Sequence, residues 1–251
     1  MAEMDYRAPL SVDDELKMLV ETRAREAGPR VEKMQAEGKT FWIKRPEILG
    51  LRYRLQKGDP QKAFARERLA YQEMNAAGAP VPQVVADGDD FLVLPDCGPD
   101  LRAQLNQDRA AGELRDLLMN ASGALGAFHR LGFAHGRPSP KDMCLVEGHV
   151  LLLDFERYMP RNNTPNGQAR DLVVFAFNVA AHSPKVRDSL NEAMRVYRDG
   201  APVGIWPLAQ RWCRRMKWAD WLTKPIQNRK DGRSKEFSAI PVVMDLFLTP
   251  R

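Results

Sequence analysis

Apolar residues recur at two spacings along this chain, and the switches between them lay out its elements. Residues 11–27 open with Ser-Val-Asp-Asp-Glu-Leu-Lys-Met-Leu-Val. This is a helix start in which Ser11 or Asp13 caps the first turn and acids crowd the N-terminal end. Gly28-Pro29 stops it. Val31 and Met34, a turn at Glu37-Gly38 and then Thr40-Phe41-Trp42-Ile43-Lys44 predict a hairpin that Pro46 ends. Residues 60–78 predict the strongest helix of the first half, with Pro60 near its start and Phe64, Leu69, Tyr71 and Met74 as its apolar face. After Gly78 the run Ala-Pro-Val-Pro-Gln-Val-Val is a proline-stiffened link into a strand. Residues 91–98, Phe-Leu-Val-Leu-Pro-Asp-Cys-Gly, are a buried strand leaving through a turn, and Asp100-Leu101 starts a short helix.

The second half is helical with one strand pair. Leu114, Leu117, Leu118, Leu125, Phe128 and Leu131 predict a long helix over 113–131. Its Gly123 and Gly126 call for close packing against a neighbour, because a helical glycine costs about 1 kcal/mol against alanine. Residues 133–158 read as a loop, a short strand, a turn at Gly148 and a second strand that stops at Asp154. The wholly apolar Val150–Leu153 run marks that strand as buried. Residues 169–180 are almost entirely apolar and predict a buried helix. Beyond them Trp206, Arg211, Trp212, Arg214, Arg215, Lys217, Trp218, Trp221 and Lys224 interleave aromatic and basic residues. Two readings fit: an amphipathic helix packing its tryptophans inward, which is preferred, and a surface for membrane or acidic glycan. Residues 224–236 read as a basic loop.

Composition narrows the picture modestly. At 251 residues, 44% hydrophobic and 28% charged, the chain has the balance of a globular protein with room for one large domain or two lobes. No apolar run approaches the ~18 residues of a membrane span, and Met1–Ser11 lacks the apolar centre of a signal peptide. Three widely spaced cysteines, Cys97, Cys144 and Cys213, form neither a disulfide framework nor a zinc pattern, which fits a reducing cytoplasm. A net charge of +5 favours anionic partners: nucleotides, acidic lipid, phosphorylated glycan and, least expected, nucleic acid.

The candidate chemistry centres on 133–158. Asp142 and Asp154 flank the strand pair. Two strands folded back on each other can bring such carboxylates to one end of a cleft, where a Mg²⁺ ion carrying nucleotide phosphates is held. Lys44 closes an early strand and, taken alone, is a solvated lysine. Glu67 and Glu73 are helix acids six positions apart, hence on different parts of the helix surface. His129, near a helix C-terminus, reads as a packing residue.

The stretch 133–158 resembles the catalytic heart of the protein-kinase-like fold, His-x-Asp-x-x-x-x-Asn, a hairpin, then Asp-Phe-Gly. His135 matches the histidine, Asp142 stands at the asparagine, and Asp154-Phe155-Glu156 stands at Asp-Phe-Gly; Arg137 occupies the place of the catalytic aspartate. The order of a strand with Lys44, a helix with Glu67, Gly-x-Pro-Val-Pro and a strand resembles the smaller lobe of bacterial small-molecule kinases. With Arg170-Asp171-Leu172, the whole is similar to the bacterial lipopolysaccharide kinase group, which phosphorylates Kdo or heptose. A recognisable glycine-rich phosphate loop is missing; Gly28 and Gly38 are its candidates.

That resemblance implies an α+β, two-lobed kinase-like fold, with a small mainly β lobe over 1–95 and a helical lobe over 96–251. It implies ATP and Mg²⁺ as cofactors. Lys44, braced by Glu67, would orient the phosphates, and backbone from Leu94 through Asp96 to Cys97 would hold adenine. Asp154 and Asp142 would hold metal, and His135, Arg137 and Asp142 would form the catalytic loop. Asp171 would cap its helix and brace that loop. The acceptor implied is a core sugar or another anionic molecule, and the place is the cytoplasm, peripheral on the inner face of the inner membrane. Because a guanidinium does not act as a base, the alternative is a pseudokinase that binds nucleotide or scaffolds partners.

Overall fold

The computed structural model describes residues 12–47, 59–182, 186–227 and 235–249. Ser11, one of the two cap candidates, and most of the basic stretch 224–236 lie outside them. The chain divides into two compact units, Met1–Gly98 with Leu153–Tyr158, and Pro99–Leu152 with Met159–Arg251. The fold class is α+β: a small antiparallel sheet in the first unit, helices and one strand pair in the second.

In the first unit, helix α1 (Asp14–Arg25) begins at Asp13, whose carboxylate accepts from the Leu16 amide at 2.8 Å. Strands β1 (Val31–Ala36) and β2 (Lys39–Lys44) form the expected hairpin. Its two-residue turn, Glu37-Gly38, has positive φ at both positions, the type I′ geometry whose twist matches paired strands. Helix α2 (Pro60–Ala76) follows, then β3 (Ala86–Asp87) and β4 (Leu92–Pro95), in the sheet order β1-β2-β4-β3. Leu16, Val20 and Ala24 of α1 recur every fourth residue and bury against Phe41, Ile43, Phe91 and Val93. Because strand side chains alternate, burying Phe41 and Ile43 on that face turns Trp42 and Lys44 to the other.

The second unit holds α3 (Leu101–Leu105), capped by Asp100 onto the Ala103 amide at 2.6 Å, and α4 (Ala111–Arg130). Strands β5 (Met143–Val146) and β6 (His149–Leu152) make a second hairpin on a second Glu-Gly turn, Glu147-Gly148, again with both φ positive. Then come α5 (Pro165–His182), α6 (Leu190–Gly200), α7 (Ile205–Arg215), α8 (Lys217–Gln227) and α9 (Lys235–Leu248). The glycines of α4 face α6, at distances where a Cβ would make ordinary van der Waals contact. A Cβ on Gly126 would lie 3.4 Å from the Gly200 carbonyl carbon of α6, and one on Gly123 would lie 3.6 Å from Val196. Cys97, Cys144 and Cys213 are free and buried, and burial pushes the Cys213 thiol up to about 12. No helix among the described residues is long and apolar enough to cross a membrane.

The tryptophans correct one expectation. Trp206 packs inward on Phe247, ring centroids 4.7 Å apart. Trp218 and Trp221 of α8 instead stand 59% and 72% exposed, with Leu222 beside them. Helical spacing placed them on one face, but that face is turned out.

Candidate functional site

In the first unit the outward turn of β2 delivers Lys44 to α2, where its ammonium pairs with Glu67. Of the two helix acids, Glu67 is the one that meets the lysine; it is 4% exposed. Glu73 accepts from the Tyr158 hydroxyl at 3.3 Å instead. Burial pushes the Glu67 carboxyl above its ordinary value; the Lys44 charge opposes that shift, and nearby Asp154 and Glu156 add to it. A cavity of about 570 Å³ opens on this pair, with Arg30, Arg45, Arg66 and Glu156 also on its wall. Its charges are largely matched within the unit. Arg30 pairs with Glu156, Arg45 with Glu32 at 2.8 Å, and Arg66 donates to the Glu156 carbonyl at 3.3 Å.

Asp154 lies in this unit too, with φ 61° and ψ 73°, a left-handed conformation that costs a non-glycine residue about 1–3 kcal/mol. Its amide donates to the Tyr71 hydroxyl at 3.3 Å, and Phe155 behind it is fully buried, edge-on to Tyr71 at 5.0 Å. Its Oδ1 is buried and has no hydrogen-bond partner among the described residues. A buried carboxyl oxygen without a partner is one that a cation can satisfy, and Mg²⁺, which keeps its waters and shares phosphate oxygens, needs only one or two such side chains. Among the described residues there is no group of three or more His, Cys, Asp or Glu side chains that could hold a metal ion without such help.

The segment from Leu94 to Cys97 leaves the sheet at its end. The Asp96 amide donates to Thr40 at 2.9 Å, and the alternation of an antiparallel ladder commits the Leu94 amide to Trp42 in the same way. Pro95 has no N–H, so the amide of Cys97, beyond the ladder, is the donor this segment offers to a base. Burial raises the Asp96 carboxyl, but hydrogen bonds from Trp42 and the Gly98 amide and the charge of Lys33 outweigh it and hold it below the usual range. Neither glycine candidate makes a phosphate loop here: Gly38 is the tip of the β1–β2 turn, and Gly28 packs under Glu32 and Arg45.

His135, Arg137 and Asp142 belong to the second unit. Their loop is pinned from below by α5 and the residues before it. Asp171 accepts from the amides of His135 at 2.5 Å and Gly136 at 3.0 Å. Asn163 accepts from the Ala134 amide at 2.9 Å, Gln168 donates to the Phe133 carbonyl at 3.1 Å, and Asn178 donates to the Pro138 carbonyl at 3.1 Å. The expectation that Asp171 caps its helix is corrected, because α5 starts at Pro165, six residues earlier, and only the bracing part of that expectation describes the contacts.

A buried His129–Tyr197 pair lies beside Asp171. Burial keeps the His129 imidazole neutral against the pull of Asp171, and burial keeps the Tyr197 hydroxyl protonated. With 2.6 Å between them, the Tyr197 O–H donates to His129 Nδ1. The proton of the neutral ring then sits on Nε2, which lies 3.6 Å from Asp171 Oδ2, beyond hydrogen-bond distance. At the loop's far end Ser139 donates to Asp142 at 2.8 Å, and Lys141 lies 3.6 Å from the same carboxylate. His135 and Asp142 are buried, whereas Arg137 is exposed.

Sequence reasoning missed a second cavity, about 440 Å³, walled by Gly136, Thr164, Arg170, Arg211, Trp212 and Arg215 among others. The available signal was α7 itself, whose sequence Ile-Trp-Pro-Leu-Ala-Gln-Arg-Trp-Cys-Arg-Arg carries three arginines and no acid.

No family model matches the chain. It is 28% identical over 200 residues to an uncharacterized protein of Haemophilus influenzae, covering 79% of this chain and 82% of that one. Among solved structures it is similar to a divergent kinase lacking the glycine-rich loop that regulates membrane ultrastructure of the Toxoplasma parasitophorous vacuole. That likeness has a TM-score of 0.47 and 18% identity, over 91% of this chain and 80% of the other. Neither likeness assigns an activity.

Proposed function

We propose that this chain is an ATP-dependent phosphotransferase with a kinase-like site, acting on a sugar hydroxyl of the lipopolysaccharide inner core. The observation that carries the proposal is the pair of half-buried Lys44 with buried Glu67, within electrostatic reach of Asp154, whose Oδ1 lacks a partner among the described residues. In this reading Lys44, held by Glu67, takes the α- and β-phosphates, the Cys97 amide takes the base, and Asp154 and Asp142 are the metal ligands. Mg²⁺, when bound, would neutralise charge on the phosphates during transfer. His135, buried with its amide held by Asp171, positions the loop. Asp96 and Leu94 shape the base site through their side chains only. The exposed Trp218, Trp221 and Leu222 beside Lys217 and Lys224 on α8 support a cytoplasmic place against the inner membrane, where such an acceptor is made.

A pseudokinase is the second reading, and the observation favouring it is Arg137, exposed at the position of the base. Loss of a general base costs about 10²–10⁴-fold; an arginine can still stabilise charge on a moving phosphoryl group.

Calorimetric titration of ATP with and without Mg²⁺, beside Asp154→Ala, tests the nucleotide site. Mg²⁺-dependent binding that the variant loses, followed by label transfer to core oligosaccharide, is the expected result. Binding without transfer to any core acceptor selects the second reading, and no binding removes both. Binding should also weaken on the acid side at a pH above the ordinary glutamate value of about 4.3. The raised Glu67 carboxyl protonates there and releases Lys44. Glu67→Gln should abolish that limb.

A further inference from the structure

Three arginines on the wall of the second cavity have no evident structural work. Arg211 and Arg215 lie one turn apart on α7, so they share a face, and like charges at that spacing repel. Arg170 brings a third guanidinium from α5. All three are exposed, and none makes an ion pair or hydrogen bond to a described residue. The one acid on the wall is Asp171, buried and already engaged by the His135 and Gly136 amides. A helix dipole explains a basic residue at the end of α7. It does not explain why residues of two helices converge on one concavity, nor Arg211, a turn earlier.

The rest of the wall fits a sugar-sized ligand. Trp212, half-buried, offers a flat apolar surface between the two α7 arginines, and Thr164 adds a hydroxyl. The cavity volume of about 440 Å³ suits a molecule of hexose-phosphate size. Its Gly136 edge is the residue next to Arg137 in the pinned loop. Guanidinium forks match phosphate oxygens in pairs, a geometry lysine does not supply.

We infer that this cavity binds an anionic group already present on the acceptor, a phosphomonoester on a sugar, through Arg170, Arg211 and Arg215, with the sugar ring on Trp212. The inference rests on the phosphotransferase proposal for the word acceptor, but the anion site is tested by itself. The full chain is titrated calorimetrically with glucose 6-phosphate, glucose and inorganic phosphate, alone and as Arg211→Gln/Arg215→Gln, with Arg170→Gln as a separate variant. Glucose 6-phosphate should bind in wild type, about ten-fold or more weaker in each variant, since a hydrogen bond to a charged group is worth about 1.5–3 kcal/mol. Glucose should not bind.

Glucose 6-phosphate binding that the variants leave unchanged, or no binding in wild type, overturns the inference. Inorganic phosphate bound as tightly as the sugar phosphate overturns the sugar assignment. A separate wild-type titration with Mg²⁺ and ATP keeps the two ideas apart. Arginine-dependent sugar-phosphate binding without ATP binding would leave this site standing and remove the phosphotransferase.

Discussion

The first cavity has five cationic residues on its wall and the second three, and most of the first are engaged by neighbours where those of the second are not. In the first, Lys44, Arg30 and Arg45 each pair with an acid, Arg45 sharing Glu32 with Arg23, and Glu67 is buried deeply enough to depend on its lysine. In the second, Arg170, Arg211 and Arg215 line the cavity without ion-pair partners among the described residues. Charges paired inside a fold hold geometry, because neither member can move without stranding the other. Unpaired charges on a concave wall hold nothing until an anion arrives. The first cavity is therefore built to position, the second to recruit.

Breaking the first arrangement should produce the largest effect. Lys44→Met leaves Glu67 buried and alone, and removing one partner of a buried pair costs about 3–5 kcal/mol. Urea unfolding at pH 8 should show that loss. The raised carboxyl fixes the sign of the pH dependence. The penalty is present above the folded-state value of Glu67 and disappears as pH falls through it toward the unfolded value, where the group is neutral in both states. Lys44→Met/Glu67→Leu should recover most of the loss at pH 8. If it does not, the pair is not what orders this cavity.

An intermediate effect is expected under the second cavity. Asp171→Asn keeps the shape but puts an NH2 group where Oδ1 now accepts from the Gly136 amide at 3.0 Å, leaving that N–H only its longer bond of 3.2 Å to the other oxygen, a loss of about 1 kcal/mol. Amide exchange at His135 and Gly136 should accelerate more than in the core of α4. The smallest effect is expected from Arg211→Gln/Arg215→Gln without ligand. Removing a like-charge pair one turn apart should stabilise by about 0.2–0.5 kcal/mol. A loss of more than about 1 kcal/mol in thermal unfolding would mean these arginines hold structure after all, and the contrast between the cavities would collapse.

Much of the first cavity was legible because its logic is local. Alternation in Phe41-Trp42-Ile43-Lys44 sets which way the lysine points, and the Glu-Gly pairs announce both hairpins. Periodicity did not separate Glu67 from Glu73, since that choice depends on how α2 is rotated over the sheet; only the family resemblance picked Glu67. Asp171 was legible as a brace and misplaced as a cap because the polar residues Pro165–Gln168 hid the first turn of α5. The second cavity was illegible because Arg170 and Arg211 are forty-one positions apart, and helix periodicity says which residues share a face without saying what that face meets. The same gap misdirected Trp218 and Trp221.

The way the first unit is threaded has a consequence for biosynthesis. Phe155 and Tyr158 are fully buried beside Tyr71 and Glu73, yet they are made some eighty residues later, after the whole β5–β6 hairpin. A nascent chain that has emerged only to Gly98 therefore carries α2 with an aromatic face still uncovered. Closing a loop of that length delays completion and makes the early intermediate prone to aggregation. The first unit therefore cannot be completed until Tyr158 has been made, by which point the leading part of the second unit has already emerged.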